Sequence, residues 1–344
     1  DENNQVLAKK ISSFDLGEDD FSWNGKLLGE NKSFLSFSKI GNFISGSLYG
    51  LGQENLKFKK HGDGKFEIFD IDSDRTLVCG GCQTPGNTYN FDPRPGRRAK
   101  TWRSGDGNVI DLLVAYTSQS KQKQNLSSES EVEAFIQSAL AGSNLVFSNS
   151  LVNASLRLVH LVEVEYTETN NPSIDLNRTA NKSDGYLDEL HTLRDQYGAD
   201  LVTLLISDGD GTIAGVARGM DYPSLDFEDN GFNVVVMDQI DAPSFSLLHE
   251  IGHNMGCRHN REDAMNRGIP DTDSSNNSVF KAFNYGKRWL IGDEGYRTIM
   301  AYDTENSVTY ANQVHFFSKP AIKSLGIPLG NENSDDKSKV LAKS

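Results

Sequence analysis

The most informative segment of the sequence is His249-Glu250-Ile251-Gly252-His253-Asn254-Met255-Gly256-Cys257-Arg258-His259. On a helix, side chains at positions i and i+4 project from one face, so His249 and His253 present two imidazoles to one ion, with Glu250 beside them. Gly256 ends the helix, because glycine adopts the left-handed conformation at low cost. The chain then turns, and His259 returns as a third ligand. Three neutral imidazoles leave a fourth position for water, which is the pattern of a catalytic zinc site.

The residues around this string indicate a buried helix. Phe245, Leu248 and Met255 fall mostly on the side opposite the histidines, and Ser244 is the predicted N-cap. Any one histidine could be an ordinary hydrogen-bonded residue, and H-E-x-x-H alone recurs by chance. The full string, however, fixes two more positions, Gly256 and His259, and uses three of the seven histidines in the chain. It therefore predicts a metal site, and tetrahedral nitrogen ligation favours zinc.

The string resembles the signature of the metzincin metalloproteases, H-E-x-x-H-x-x-G-x-x-H followed by a methionine turn. A second segment, Tyr296-Arg297-Thr298-Ile299-Met300-Ala301-Tyr302, resembles that Met-turn. The resemblance makes Met300 the apolar floor under the zinc ligands. It compares Tyr302 with the zinc-facing tyrosine of astacins and serralysins, a stabiliser of the transition state, although a buried structural tyrosine is the alternative.

The resemblance is narrower than metzincins in general. Strand Ile110–Tyr116, the wording H-E-I-G-H-N-M-G and the ending Phe317-Ser318-Lys319-Pro320 resemble secreted bacterial reprolysin-like (adamalysin-like) proteases, over roughly residues 107–330. Asn260 departs from the aspartate that reprolysins carry after the third histidine. The resemblance implies a secreted zinc endopeptidase in which zinc activates a water and Glu250 is the general base. A metzincin-fold module that binds protein without catalysis is the alternative, as is a zinc hydrolase of other substrates.

The chain from residue 107 to residue 344 has the pattern of one α/β (α+β) domain with a twisted mixed sheet. Val109–Tyr116 is a nearly continuous apolar run, typical of a strand covered on both faces. Ser128-Glu129-Ser130-Glu131 forms a capping box before a helix with apolar residues at helical spacing. Further strands are predicted at Leu156–Tyr166, Leu201–Ile206 and Asn233–Met237, with a helix at Asp188–Tyr197.

Residues 1–100 have a different pattern, that of an all-β antiparallel domain. Short β-type runs alternate with glycine, asparagine and aspartate turns, at Ser33–Phe37, Phe43–Tyr49, Leu56–Lys59 and Lys65–Ile71. A linker near 93–106 begins with Pro93-Arg94-Pro95-Gly96-Arg97-Arg98 and marks the domain boundary. Beside the metzincin resemblance, this β-rich domain resembles an inhibitory prodomain. Activation then requires a cut in the linker, where Arg97 and Arg98 offer basic residues to a protease.

The three cysteines are too few for a disulfide scaffold, and an odd number leaves one thiol without an intrachain partner. Cys79-Gly80-Gly81-Cys82 is weak as an isolated C-x-x-C motif. Cys79-Gly80 resembles the Cys-Gly core of the cysteine switch, in which a prodomain sulfur binds zinc in place of water. Cys79 and Cys82 both remain candidates, and the following glycine favours Cys79. The remaining cysteine pairs with Cys257 in a disulfide, or Cys257 is simply a small buried residue.

Composition excludes several classes of partner. With 34 basic and 48 acidic residues the net charge is −14, which repels nucleic acid and anionic membranes. No run of 18 apolar residues predicts a membrane span, and we expect any signal peptide to have been removed. Asp208-Gly209-Asp210-Gly211 gives calcium only weak support, because it lacks EF-hand spacing, and a surface turn is the better interpretation. The expected partners are peptide or protein substrates and the chain's own prodomain.

Overall fold

The computed structural model describes residues 7–30, 33–51, 54–71, 77–83, 108–220, 225–266, 284–305, 308–331, 336–337 and 341. The predicted linker near 93–106, with Arg97 and Arg98, lies outside the described residues.

The N-terminal part forms a six-stranded antiparallel sheet in which sequential strands are neighbours. Its strands are β1 (Ala8–Gly17), β2 (Asp20–Leu27), β3 (Phe34–Ile40), β4 (Phe43–Leu51), β5 (Glu54–Lys60) and β6 (Phe66–Asp70). The four predicted strands correspond to β3 through β6, so the antiparallel meander is confirmed. Strand β3 shows why: residues 34, 36, 38 and 40 are buried and the residues between them are less so, which is the period of a strand with one covered face.

The second sheet is mixed and also has six strands. They are β7 (Val78–Gln83), β8 (Val109–Thr117), β9 (Ser155–Val164), β10 (Leu201–Ile206), β11 (Ile213–Arg218) and β12 (Phe232–Val236), in the spatial order β7-β11-β12-β10-β8-β9. Strands β12, β10, β8 and β9 run parallel, and β11 is antiparallel to β12. Most of β8 and all of β10 and β12 are buried, as their continuous apolar sequences predict.

Helices cover both faces of this mixed sheet. They are α1 (Ser118–Lys123), α2 (Glu129–Asn149), α3 (Pro172–Ala180), α4 (Glu189–Tyr197), α5 (Ser246–Asn254) and α6 (Arg261–Asn266). Apolar residues of α2 and α5 pack on one face in a single core, and those of α3 and α4 pack on the other. The predicted cap of α2 is present, because Ser128 Oγ accepts from Glu131 N at 3.2 Å. The carboxylate of Glu131 reaches back to Ser127 N, one residue earlier than the capping box requires.

Short strands complete the C-terminal part, and they are β13 (Arg288–Ile291), β14 (Glu294–Arg297), β15 (Thr304–Glu305), β16 (Val308–Thr309), β17 (Asn312–Gln313), β18 (Lys323–Ser324) and β19 (Ile327–Pro328). The α/β prediction for this half of the chain is confirmed by the mixed sheet and its helices. In the part of the chain that the structure describes, no helix combines the length and apolar character needed to cross a membrane.

Strand β7 departs from the expected antiparallel domain. It is not part of the N-terminal sheet. It pairs in parallel with β11 of the mixed sheet, with Cys79 opposite Gly215 and Cys82 opposite Ala217. The edge of β11 carries backbone groups that need hydrogen-bond partners, and β7 supplies them. The N-terminal part therefore contacts the mixed sheet directly at its edge.

The N-terminal sheet also packs against α2 through many polar contacts. Asn24 Nδ2 donates to Ala141 O and Ser36 Oγ donates to Ser138 O, each at 2.9 Å. Lys57 pairs with Asp241 at 2.6 Å. Hydrogen bonds and ion pairs of this kind are exchangeable with water, unlike a large apolar core. These polar contacts lie beside an apolar one, because Phe34 of β3 joins the core formed by α2 and α5.

Candidate metal centre

Helix α5 contains His249, Glu250 and His253, and its two ends are capped in different ways. At the N-terminal end the predicted cap is wrong: the Ser244 hydroxyl donates to Gln239 Oε1 at 2.7 Å, and Phe245 precedes the helix with a φ of 51°. At the C-terminal end Gly256 has a φ of 85°, as predicted. Cys257 N donates to Gly252 O at 2.8 Å and Gly256 N donates to His253 O at 2.9 Å, which is a Schellman motif. This turn brings His259 back toward the helix.

The three predicted histidine ligands converge. Their ring centroids lie 4.6 to 5.2 Å apart, and all three side chains are buried. Each ring is oriented by a partner at Nδ1, and the partners of His249, His253 and His259 are respectively Ile299 O at 2.9 Å, Cys257 O at 2.7 Å and Asp263 Oδ2 at 3.0 Å. An Nδ1–H that donates to such an acceptor leaves the lone pair of Nε2 for a metal.

The structure brings one of the two candidate prodomain cysteines to the histidines. Cys79 Sγ lies 3.5 Å from His253 Nε2, and its sulfur and one nitrogen of each histidine all lie within 4.8 Å of one another. We call these four atoms the metal cluster. Cys82 faces elsewhere, and its Sγ accepts from Arg258 Nη1 at 3.0 Å.

The three cysteines form no disulfide. The alternative that pairs Cys257 with the remaining N-terminal cysteine is therefore wrong. Cys257 is 1 % exposed and packs in the core beneath α2 and α5, and burial raises the pKa of its thiol to about 11. It is the small buried residue of the other interpretation.

Glu250 lies beside the metal cluster in an enclosed position. It is 1 % exposed, and neither carboxylate oxygen has a hydrogen-bond partner among the described residues. Burial raises the pKa of Glu250 to about 8. Gly215 of β11 faces Glu250, and a Cβ atom at Gly215 would come within 2.8 Å of Glu250 Cγ. The absence of a side chain at Gly215 thus makes room for the carboxylate, a role that the sequence pattern did not reveal.

The side chains of the cluster fit a zinc ion. His249 Nε2 is buried without a hydrogen-bond partner among the described residues, as are both oxygens of Glu250, so polar atoms there await a ligand. Burial lowers the pKa of His249 to about 3 and that of His253 well below its ordinary value, so both imidazoles are neutral and carry a lone pair. Three nitrogens and one sulfur at this spacing are a donor set that zinc accepts.

The predicted Met-turn lies directly under α5. Met300 is fully buried, and a Cβ atom at Gly252 would meet its sulfur at 2.6 Å, so the glycine allows close packing. Tyr302 reaches the cluster from the same turn: its ring centroid lies 3.8 Å from that of His259, and its hydroxyl donates to Cys79 O at 3.1 Å. Asn260, the departure from reprolysins, accepts from Tyr302 N through Oδ1 at 3.2 Å and so ties the two segments together.

Sequence reasoning missed Asp263, the partner of His259. The available signal is its position four residues after the third histidine, in the first turn of α6, where a side chain returns to the same face. At the weak calcium candidate, Asp208 pairs with Lys123 at 3.1 Å and accepts from Gly211 N at 2.9 Å, which is the bonding of the predicted turn.

Comparisons with known proteins agree with this geometry. A family model described as metallo-peptidase family M12, of the reprolysin type, matches residues 106–316. A peptidyl-Asp metalloendopeptidase of Stenotrophomonas maltophilia strain K279a is 33 % identical over 239 residues, which are 69 % of this chain and 51 % of the relative. A peptidyl-Asp metalloendopeptidase of Xanthomonas campestris pv. campestris is 29 % identical over 309 residues, which are 88 % of this chain and 66 % of the relative.

The chain thus spans between about half and two thirds of the length of these two curated relatives. The match to the family model covers more than half of the chain and includes α5, its three histidines and the Met300 segment. The chain belongs to metallo-peptidase family M12, among its reprolysin-like members.

Proposed function

We propose that this chain is a zinc-dependent endopeptidase in a latent form. The observation that carries the proposal is the metal cluster: three oriented imidazoles and the Cys79 sulfur within 4.8 Å of one another, beside the unpartnered carboxylate of Glu250. His249, His253 and His259 are the permanent ligands in this proposal. Residues 107–344 form the protease domain, and residues 1–100 form an inhibitory prodomain.

The chemistry is hydrolysis of a peptide bond by water. When bound, zinc supplies the Lewis acidity that makes a water nucleophilic near neutral pH and polarises the scissile carbonyl. Glu250 accepts a proton from the attacking water at a carboxylate oxygen and passes it to the leaving nitrogen as the C–N bond breaks. The acceptors at Nδ1 hold the imidazoles in place throughout.

Latency in this proposal comes from β7. Burial, and next the charge of Glu250, raise the pKa of the Cys79 thiol well above its ordinary value, so the thiolate needs the metal as a counter-charge. On a bound zinc, the Cys79 sulfur would take the position that a catalytic water needs. Strand β7 also fills the edge of β11 beside Glu250, where an extended substrate would otherwise pair. Its backbone carbonyl at Cys79 holds the Tyr302 hydroxyl, which becomes available to stabilise the transition state when β7 leaves.

The substrate class follows from the names of the relatives. Both aligned relatives are called peptidyl-Asp metalloendopeptidases, and we propose that this chain also cuts beside aspartate in peptides or proteins. A latent form suits a protease that acts outside the cell that makes it, so secretion is part of the proposal.

The test uses the full chain loaded with zinc, before and after trypsin has cut it in the segment that contains Arg97 and Arg98. Trypsin is then inactivated with a serine-protease inhibitor, and hydrolysis of an aspartate-containing peptide without lysine or arginine is measured with and without a zinc chelator. We expect chelator-sensitive hydrolysis only after the cut. Equal rates before and after the cut would overturn latency. No hydrolysis by folded, zinc-loaded protein in either state would favour the module that binds protein without catalysis.

A further inference from the structure

Arg297 is a charged side chain that the proposed mechanism does not use. It ends β14, three residues before Met300, and pairs with Gln313 of β17. Its Nη1 donates to Ala301 O, and Ile299 in the same turn accepts from His249 Nδ1 at 2.9 Å. Its position is therefore on the Met300 side of the metal cluster.

The side chain of Arg297 is half-buried, and its guanidinium has few partners. Nη1 donates to Ala301 O at 3.2 Å and to the amide oxygen of Gln313 at 2.6 Å. Nε is buried and has no acceptor among the described residues. Burial lowers the pKa of Arg297, and Asp303 opposes this only from a distance, since the described residues give Arg297 no ion pair. A half-buried cation with an unused donor is costly unless a carboxylate arrives to satisfy it.

Aromatic side chains of the N-terminal sheet cover His315, which lies two residues after Gln313, the partner of Arg297. The Tyr49 ring of β4 contacts His315 at a centroid distance of 4.7 Å, and Phe34 contacts the same imidazole at 5.4 Å. His315 Nε2 is buried without a partner among the described residues. Burial raises the pKa of Tyr49, and the charge of Arg297 lowers it. The N-terminal sheet thus lies over the side of the site that holds Arg297 and His315.

The remaining walls belong to the protease domain and lead to the metal cluster. Phe245, which stands one turn before His249, packs against His315 at 4.9 Å. Gln313 links Arg297 to the segment before α5. Its amide nitrogen donates to Pro243 O at 2.7 Å, and its amide oxygen accepts from Arg297 Nη1. Departure of the N-terminal sheet would leave a recess between α5 and the strands after Met300, with Phe245 and His315 as walls and Arg297 as its charged group.

We infer that Arg297 determines specificity by receiving the side-chain carboxylate of an aspartate next to the scissile bond, and that the N-terminal sheet covers this side of the site in the uncut chain. The inference rests on the proposed function and assigns its substrate preference to one residue. A planar guanidinium matches a carboxylate, and the unused Nε is a donor for it. Asparagine has the same shape without the charge, so it distinguishes a charge-reading site from a pocket that selects size.

The test compares two peptides that differ only in aspartate or asparagine at one position and contain no lysine or arginine. The full chain is loaded with zinc, cut with trypsin and freed of trypsin activity as above. We expect the wild-type protein to prefer the aspartate peptide in kcat/KM by roughly 10- to 100-fold, the strength of a hydrogen bond to a charged group. Arg297→Gln should remove the preference, so that kcat/KM for the aspartate peptide falls to that for the asparagine peptide, while the zinc content stays at one per chain. Arg297→Lys retains part of the preference.

A binding measurement separates this inference from the proposed activity. On the Glu250→Gln background, anisotropy of the labelled peptides measures affinity without turnover, and Arg297→Gln should abolish the difference between aspartate and asparagine. Gln313→Glu, which places a carboxylate on the guanidinium, should do the same and replaces Arg297→Gln if that variant does not fold. A preference that survives in both variants overturns the inference. If no peptide is cleaved but binding still discriminates through Arg297, the proposed activity fails and the inference stands.

Discussion

Helix α5 and strand β7 meet at the metal cluster, and they hold their ligands in opposite ways. The helix and the turn after it contribute three imidazoles, each fixed by an acceptor at Nδ1. Strand β7 contributes one sulfur, which bonds to Gly81 N at 3.2 Å within its own strand. The acceptors of the imidazoles belong to the protease domain, whereas β7 depends on pairing with β11. The difference supports our proposal that the three imidazoles are permanent ligands and that the Cys79 sulfur is a removable one.

The largest effect is expected when the general base is removed while the three histidines and Cys79 are kept. We expect Glu250→Gln to lower chelator-sensitive peptide hydrolysis by the cut chain by roughly 10²- to 10⁴-fold, because the amide cannot accept the proton from water. The amide has nearly the same size, so Gly215 still accommodates it. Metal analysis of the purified variant should give one zinc per chain. Hydrolysis at the wild-type rate would show that Glu250 is not the base.

A smaller effect on zinc affinity is expected when the acceptor that orients one of the three imidazoles is removed. Two of them are backbone carbonyls that no substitution removes, but the acceptor of His259 is the side chain of Asp263. We expect Asp263→Ala to weaken zinc binding by about 10- to 100-fold, as measured by competition with a chromogenic chelator, because His259 loses the group that orients it.

Two matched variants control this measurement. Asp263→Asn keeps an acceptor and should lose less affinity. Glu262→Ala removes the same charge one residue earlier, where the carboxylate contacts Asn260 and Arg288, and should leave zinc affinity within about threefold of the wild type. If Glu262→Ala and Asp263→Ala lost the same zinc affinity, the loss would come from the change in net charge, and Asp263 would have no role in orienting His259.

The two segments also differ in how much of them can be predicted from the sequence. The spacing of His249, His253 and His259 is a local property of one helix and one turn, so the amino-acid sequence alone is enough to locate the three imidazoles. The Cys79 sulfur reaches the cluster only because β7 crosses to a second sheet, and a pairing between residues 79 and 215 leaves no periodic signal in either segment. The choice between Cys79 and Cys82 therefore rests, in the sequence, on one neighbouring glycine.

Other features of the site are hidden from the sequence for the same physical reason. Gly215 makes room for Glu250 because β11 packs against α5, and these two residues are 35 positions apart in the sequence. The predicted cap of α5 is wrong, because the Ser244 hydroxyl has a nearby side-chain acceptor in Gln239 and does not serve the helix. Local patterns predict the elements and the imidazole ligands, and tertiary contacts determine the rest.

The smallest effect, and the one that tests the comparison most directly, is that of the removable ligand. Cys79→Ala should make the uncut, zinc-loaded chain hydrolyse peptide with chelator sensitivity, on the order of tenfold faster than the uncut wild type, since the tethered sulfur no longer competes with water. The gain is limited because β7 still pairs with β11 and Tyr49 still packs on His315. Cys82→Ala is the matched control: its sulfur bonds to Arg258 outside the cluster, so that variant stays latent. If Cys79→Ala were as latent as Cys82→Ala, strand pairing rather than the thiol would be what blocks the site.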